Sequence, residues 1–464
     1  MFNKAIKINF LFIFLTAPLL WRGGGGKVSA QGTWQKAGLD FKYTARDICV
    51  DTTNNITYLI GYFGMSNGGD SMFVYKHQNN KWDTLGFFDA DARCGILFNN
   101  ELYIGGNFQN INGVIARGVA KWNGTSFEPI GYGFNGTVSH FEIINNELYA
   151  MGYFTLADNL PVNYIAKWNG TNWVHVYNLP KIGTSMSVLC AIMYKNELYV
   201  GGNFQNDTIR GIIRYSNGNW HKVAEGLHGS WAESASKLVV YKNELYVAGA
   251  FNKQGGSAGT GIQKWDGIKW HDVGGGVDLV GFDTEDVYDM KIHNNDLWVC
   301  GRFDAVAGLP TPTIAKWTGE EWCNYPGTFT NFVRTFDFID DTLYIVGTYS
   351  VTENNVTDSL YYFAKYTGNL AGDTCAVIST SVKEQTPNGN LFSVFPNPNN
   401  GIFTLKSESH QATVSITNIL GETVCETKVA GNEMQIDISG YAKGLYNVRL
   451  LSPQGTELKR VLIE

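Results

Sequence analysis

The chain has 464 residues, 44% hydrophobic and 17% charged, as in an ordinary globular protein. Its formal net charge of −7 supplies no basic footprint for nucleic acid or for an anionic membrane surface. Seven cysteines without a C-x-x-C pair imply no disulfide framework, and at least one must stay unpaired.

Residues 1–30 read as a secretory signal peptide. Lys4 and Lys7 form a charged start, and Asn9 to Trp21 is an apolar core too short to span a bilayer comfortably. Val28-Ser29-Ala30 then offers a small-residue cleavage site. No later run is long and apolar enough to cross a membrane, so no transmembrane segment is expected in the mature chain.

From Tyr58 onward one pattern returns. The segments NITYLIGYF, NELYIGGNF, NELYAMGYF, NELYVGGNF, NELYVAGAF, NDLWVCGRF and DTLYIVGTY align on Tyr58, Tyr103, Tyr149, Tyr199, Tyr246, Trp298 and Tyr344. The period is about 48 residues, and a fixed period of that size made of strands alone marks a β-propeller. Within Thr137 to Tyr177, VSHFEII, ELYAMGYF, YIAKWNG and TNWVHVY read as four antiparallel strands, with Asn169-Gly170 suited to a tight hairpin. The fourth-strand aromatic recurs only six times, at Trp82, Phe127, Trp173, Trp220, Trp270 and Trp322. The missing copy stands at the other end, at Trp34. An open ring would leave unpaired strand edges, so Trp34 is expected to supply the last blade's outer strand and close seven blades over residues 31–372. The Gly-Gly followed by a spaced aromatic and Trp resembles kelch-type propellers, although the spacing from Trp168 to Trp173 is one residue tighter than the usual kelch pattern. That resemblance implies the architecture and carries no function.

Residues 373–390 read as a polar linker. Beyond it, alternating apolar runs such as Ile436/Ile438 and Tyr446/Val448/Leu450, with glycine turns at Gly401, Gly421 and Gly444, predict a small β-sandwich over 391–464. Its motifs are Pro396-Asn397-Pro398-x-x-Gly401, Asn418-x-x-Gly421-x-x-Val424, Ile436-Asp437-Ile438-Ser439, then Ala442-Lys443-Gly444-Leu445-Tyr446 with Arg449 just beyond, and a final Lys459-Arg460. In this order they closely resemble the type A sorting domain of the type IX secretion system of Bacteroidota. The resemblance implies export across the outer membrane, with the secretion machinery and a surface sortase as partners. It also implies a mature chain either released or attached to surface lipopolysaccharide.

Chemistry is sought among residues that break the repeat. Turns between first and second strands and between third and fourth strands are minimal, so the longer connections share one face, and a site is expected there. Trp231 is the tryptophan of the mature chain outside the repeat; with His228 and Glu233 it suggests an aromatic platform for a sugar ring. The acidic run Asp278, Asp283, Glu285, Asp286 and Asp289 supplies hard oxygens but no D-x-D-x-D-G loop; Asp283 and Asp286 are its candidate ligand contacts. Nine residues before each aligned aromatic stand Cys49, Cys94, His140, Cys190, Lys237, Asp289 and Thr335. Soft-metal ligation is one reading of that set, and packing between blades, with no metal or other cofactor, is the preferred one. His221 and His271 follow repeat tryptophans and read as blade-edge residues. No S-x-D-x-G-x-x-W, H-E-x-x-H, G-x-S-x-G or Walker loop occurs, so no catalytic residue is assigned. The expected function is binding of a glycan or protein ligand on the long-loop face. The alternatives are an extracellular carbohydrate-active hydrolase or lyase, and a purely structural surface protein.

Overall fold

A computed structural model describes residues 34–38, 45–64, 70–183, 186–229, 233–278, 286–311, 313–324, 328–329, 331–339, 341–348, 351–353, 356–358, 362–368, 370, 392–407, 412–418, 423–429, 431–452 and 455–464. The signal-peptide and linker assignments, and Trp231, Asp283, Glu285 and Gly421, lie outside these residues. The chain divides into two compact units, Met1–Cys375 and Ala376–Glu464.

The first unit is all-β and propeller-like. One antiparallel order recurs along it, each first strand pairing the second, the second the third and the third the fourth. The third copy shows it plainly: Thr137–Ile144, Glu147–Tyr153, Ile165–Trp168 and Trp173–His175. Two-residue turns link first to second strands, as at Asn99-Asn100 (φ 50° and 61°) and Asn145-Asn146 (φ 51° and 62°). Positive φ at both positions gives the turn whose twist matches that of the flanking strands, and asparagine tolerates it better than most residues.

The opposite end carries the longer connections. Several fold into miniature hairpins, such as Asn110–Ile111 with Val114–Ile115 and Ala305–Val306 with Leu309–Pro310. Each is stitched to the connection entering its own copy, through Phe88↔Ile111 and Val277↔Val306. Asp89 fastens the first of them by accepting from the Gln109 and Asn110 amides at 2.8 and 3.0 Å.

The repeat's aromatic residues form the core between copies. Trp173 and Trp322 are almost wholly buried, and each indole N–H reaches a backbone carbonyl, Ile130 O at 3.3 Å and Val273 O at 3.0 Å. The N-terminal segment Trp34–Lys36 pairs antiparallel with Phe363–Tyr366, in register Trp34↔Tyr366 and Lys36↔Ala364. The Trp34 ring is buried 5.3 Å from Phe329 and 5.2 Å from Tyr366. Ala45, Ile48 and Leu59 of the first copy also pack with Val346 and Phe363 of the last.

The second unit has two antiparallel sheets. One orders Phe392–Phe395, Ile402–Ser407 and Glu433–Asp437; the other orders Thr423–Lys428, Thr413–Asn418, Gly444–Ser452 and Gly455–Ile463. Leu405, Val414, Ile416, Val448, Leu450 and Val461 form its dry centre. These are the apolar members of the alternating runs, which is why one face of each strand turns inward.

Candidate functional site

All seven first strands share one irregularity. Close to the start of each, the register with the second strand slips by one residue, at Arg46, Arg93, Ser139, Leu189, Ser236, Tyr288 and Arg334. A bulge of this kind re-aims a side chain that the pleat would otherwise direct to a neighbouring sheet. All seven bulged residues line one cavity of about 630 Å³, at its end nearest the long connections. This lies within the size range of small-molecule sites.

The residues just after the bulge are Asp47, Cys94, His140, Cys190, Lys237, Asp289 and Thr335, and all except Cys190 also line the cavity. Six of these seven were singled out by counting in the sequence, but in the first copy the count falls on Cys49. There the turn Thr52 to Asn55 is two residues longer than in the other copies, so Tyr58 pairs with Cys49, and Asp47, opposite Ile60, takes the equivalent place. The cysteines do pack between copies, as expected. Cys94 and Cys190 are buried, with sulfurs 3.9 Å and 3.5 Å from Val138 O and Ala235 O, and burial pushes both thiols up. Among the described residues no group of three or more His, Cys, Asp or Glu could hold a metal ion. Cys323 is disulfide-bonded, a pairing that the cysteine spacing does not reveal.

The cavity's interior charges come in satisfied groups. Lys291 meets Asp337 at 3.0 Å, and although burial opposes its charge, Asp337, Asp289 and Asp47 together hold its ammonium above the usual range. Lys237 lies 3.6 Å from Glu142, which also faces His140 at 3.4 Å. Burial opposes the Lys237 charge, and Glu142 and Asp289 outweigh it. Asp289 accepts from the Thr335 hydroxyl at 2.7 Å. Asp47 accepts from the Gly95 and Ile48 amides at 2.8 and 2.9 Å, yet burial raises its carboxyl to about 6.

The mouth is less balanced. Arg93 donates to Asp91 at 2.8 Å, while Arg46 stands 3.6 Å from the other oxygen of that carboxylate. Arg334 has no carboxylate within ion-pair distance among the described residues. Burial and the neighbouring Arg46 push its guanidinium down. The Nε atoms of Arg46 and Arg334 and the hydroxyl of Ser139 are buried without a hydrogen-bond partner.

Of the ligand contacts chosen from the sequence, Asp286 comes nearest this cavity, as a neighbour of its lining residue Ser236. It accepts from the Ser236 hydroxyl at 3.4 Å, and burial raises its carboxyl to about 7. Glu233 is instead consumed by Arg210, which donates to both its oxygens at 2.8 Å. The backbone amide of His228 donates to Ser257 at 2.8 Å, and its ring lies 3.0 Å from Glu225 O. Asp278 accepts from the Gly308 amide at 3.2 Å, which ties it to the neighbouring hairpin. The repeat count falls one residue past the bulge, where the mouth arginines leave no mark; one residue earlier, Arg46, Arg93 and Arg334 stand in consecutive copies once last and first adjoin.

In the second unit the opening motif clasps the final strand. Asn397 donates to Arg460 O at 2.7 Å and accepts from the Leu462 amide at 2.8 Å. Asn399 N–H donates to Leu462 O at 3.0 Å, while its side chain accepts from Gly401 N at 2.8 Å. Pro396 and Pro398 flank Asn397 in this clasp. Gly401 has φ 95°, and a Cβ there would lie 2.5 Å from Ser439 Cα, so only glycine fits. Tyr446 is buried and donates to Ala442 O at 2.6 Å; Gly444 precedes it at φ 148°, and Arg449 is exposed.

Residues 393–464 match the model of the secretion system C-terminal sorting domain. This domain marks proteins secreted to the cell surface or extracellular space, here through the type IX system. No curated protein matches the chain. Among solved structures it is similar to PorZ of Porphyromonas gingivalis, described as an essential bacterial surface component of the type-IX secretion system. The identity is 12% and the TM-score 0.43, over 91% of this chain and 59% of that one. The chain thus spans about three fifths of the length of PorZ. YjhT is similar at 14% identity and TM-score 0.35, over 60% of this chain and 96% of its own. A Bacteroides thetaiotaomicron protein of unknown function is similar at 9% identity and TM-score 0.32, over 72% and 98%.

Proposed function

We propose, from the sorting domain at 393–464 as premise, that this is an exported surface or secreted binding protein whose ligand enters the mouth of the cavity. In this reading residues 31–372 form a kelch-like, seven-bladed propeller closed by the Trp34 strand, and residues 391–464 are an address label removed by a surface sortase. The carrying observation is the repeated bulge, which turns one residue from every first strand into the same 630 Å³ cavity. Packing alone does not require seven successive register slips, whereas a lined recess of this size suits a small polar ligand. The proposed ligand site is accordingly the cavity mouth rather than the loop of His228 and Glu233; Trp231 and Asp283 lie outside the described residues.

A glycan array with the mature chain tests this reading, compared with Ser236→Trp, which fills the mouth. Bound glycans should be lost in the variant while its melting temperature holds. Unchanged glycan binding in a folded Ser236→Trp protein sinks the cavity reading. One observation favours the hydrolase alternative: Asp47 lines the cavity and Asp286 adjoins its Ser236, and both carboxyls are shifted upward as a general acid requires. Release of reducing sugar from an array-positive glycan, abolished by Asp286→Asn, would move the assignment from binding to hydrolysis.

A further inference from the structure

We infer that the cavity mouth recognises an acidic saccharide, its oxyanion held by Arg46, Arg93 and Arg334; this rests on the binding role proposed for the cavity.

Of three guanidiniums at the same bulge position, Arg46 and Arg93 share one carboxylate, Asp91, and Arg334 has none among the described residues, whereas Lys237 and Lys291 inside the cavity each have a carboxylate of their own. Clustered, half-buried cations without matching anions cost stability, and that cost falls when an anion arrives. The unpaired groups are also of the right kind. An arginine fork presents parallel N–H donors that match a planar carboxylate or a sulfate, and it is less strongly hydrated than an ammonium. The Nε–H groups of Arg46 and Arg334, both buried without a hydrogen bond, are donors of that fork, and Arg46 has only its 3.6 Å ion pair to Asp91.

The rest of the same tier points to a sugar rather than to a bare ion. Ser139, Ser236 and Tyr288 occupy the bulge position in other copies and bring hydroxyls to the cavity. The half-exposed ring of Tyr153 also lines the cavity and gives an apolar face on which a pyranose can lie. The volume of about 630 Å³ admits one or two sugar rings and excludes a protein segment.

Calorimetry on the mature full-length chain tests this with three probes: tetragalacturonate, a neutral galactose tetrasaccharide and inorganic sulfate. Tetragalacturonate should bind at least ten-fold tighter than either of the others, and its affinity should fall as salt is raised. Arg334→Leu and Arg93→Gln should each weaken it ten-fold or more. Without ligand, Arg334→Leu should melt at the same temperature as the parent or higher, because an unmatched cation has gone. Arg334→Lys keeps the charge and tests the fork if the leucine variant misfolds; it too should lose several-fold in affinity. The inference is overturned if tetragalacturonate does not bind, if the neutral sugar or sulfate binds as tightly, or if the arginine variants retain full affinity. If both sugars bind equally and Ser236→Trp removes both, the cavity still binds saccharide and only the acidic preference falls. Sugar binding that survives in the folded Ser236→Trp variant removes the cavity site itself.

Discussion

At Trp173 the repeat's fourth-strand aromatic is wholly buried, 5.0 Å from the Phe134 ring and 5.3 Å from Trp168, with its indole N–H on Ile130 O. Truncation to alanine leaves a large cavity and an unpaired carbonyl. Trp173→Ala should therefore cost about 3–5 kcal/mol, read as a fall in the urea midpoint. Trp231→Ala, outside the repeat, is expected to leave that midpoint nearly unchanged. Asp286 makes a different prediction. Its carboxyl ionises near 3.8 in an unfolded chain and near 7 in the fold, because burial disfavours the charge. Below the lower value it is neutral in both states and costs nothing. As pH rises toward 7 the unfolded state ionises freely while the folded state resists, so stability is lost across that window and stays lost above it. Asp286→Asn should match the parent at pH 4 and exceed it at pH 8, by about 1–3 kcal/mol after allowance for partial exposure. Denaturation curves at the two pH values that superimpose for parent and variant would contradict the burial argument.

Strands in this fold depend on neighbours that come from far along the chain. Trp34–Lys36 is only three residues long, yet it supplies the outer pairing for Phe363–Tyr366 and puts a tryptophan between Phe329 and Tyr366. Deleting Gln31 to Leu39 should strip that edge and expose it to aggregation. The expected result is a melting temperature many degrees lower, or precipitation, in differential scanning calorimetry; an unchanged melting curve would show that this strand closes nothing. In the sorting module the comparable element is the opening turn. Gly401→Ala must shift Ser439 and abandon a positive φ, so the clasp of Asn397 and Asn399 on the last strand should loosen. Surface delivery should fall while the propeller-like unit melts as before, which thermal denaturation and cell fractionation measure separately. This element was legible in outline, because Pro396-Asn397-Pro398 and Gly401 announce a constrained turn. Its attachment to Leu462 was not, since hydrogen-bond partners some sixty residues apart leave no local mark.

For the molecule as a whole, the sorting domain and the cavity lie in separate compact units, and removing Leu391 to Glu464 should leave the chain unsecreted with the first unit still folded. Immunodetection in the periplasmic fraction should rise as surface signal disappears. The amino-acid sequence by itself determined the class of fold, the number and order of strands in each copy, and the address carried by the C-terminal motifs. These follow from local signals: an alternating apolar pattern, asparagine pairs that accept positive φ, and glycines where a side chain would collide. Tertiary structure decided which residues line the cavity. Arg46, Arg93 and Arg334 are scattered over nearly 300 residues, and each alone reads as an exposed strand charge. A one-residue bulge re-aims each of them, and only the packing of the last copy against the first makes Arg334 a neighbour of Arg46. Glu233 shows the converse, because Arg210, more than twenty residues earlier, takes both its oxygens. Strand periodicity is a short-range property of the chain, whereas charge balance in a cavity is summed over every strand that reaches it.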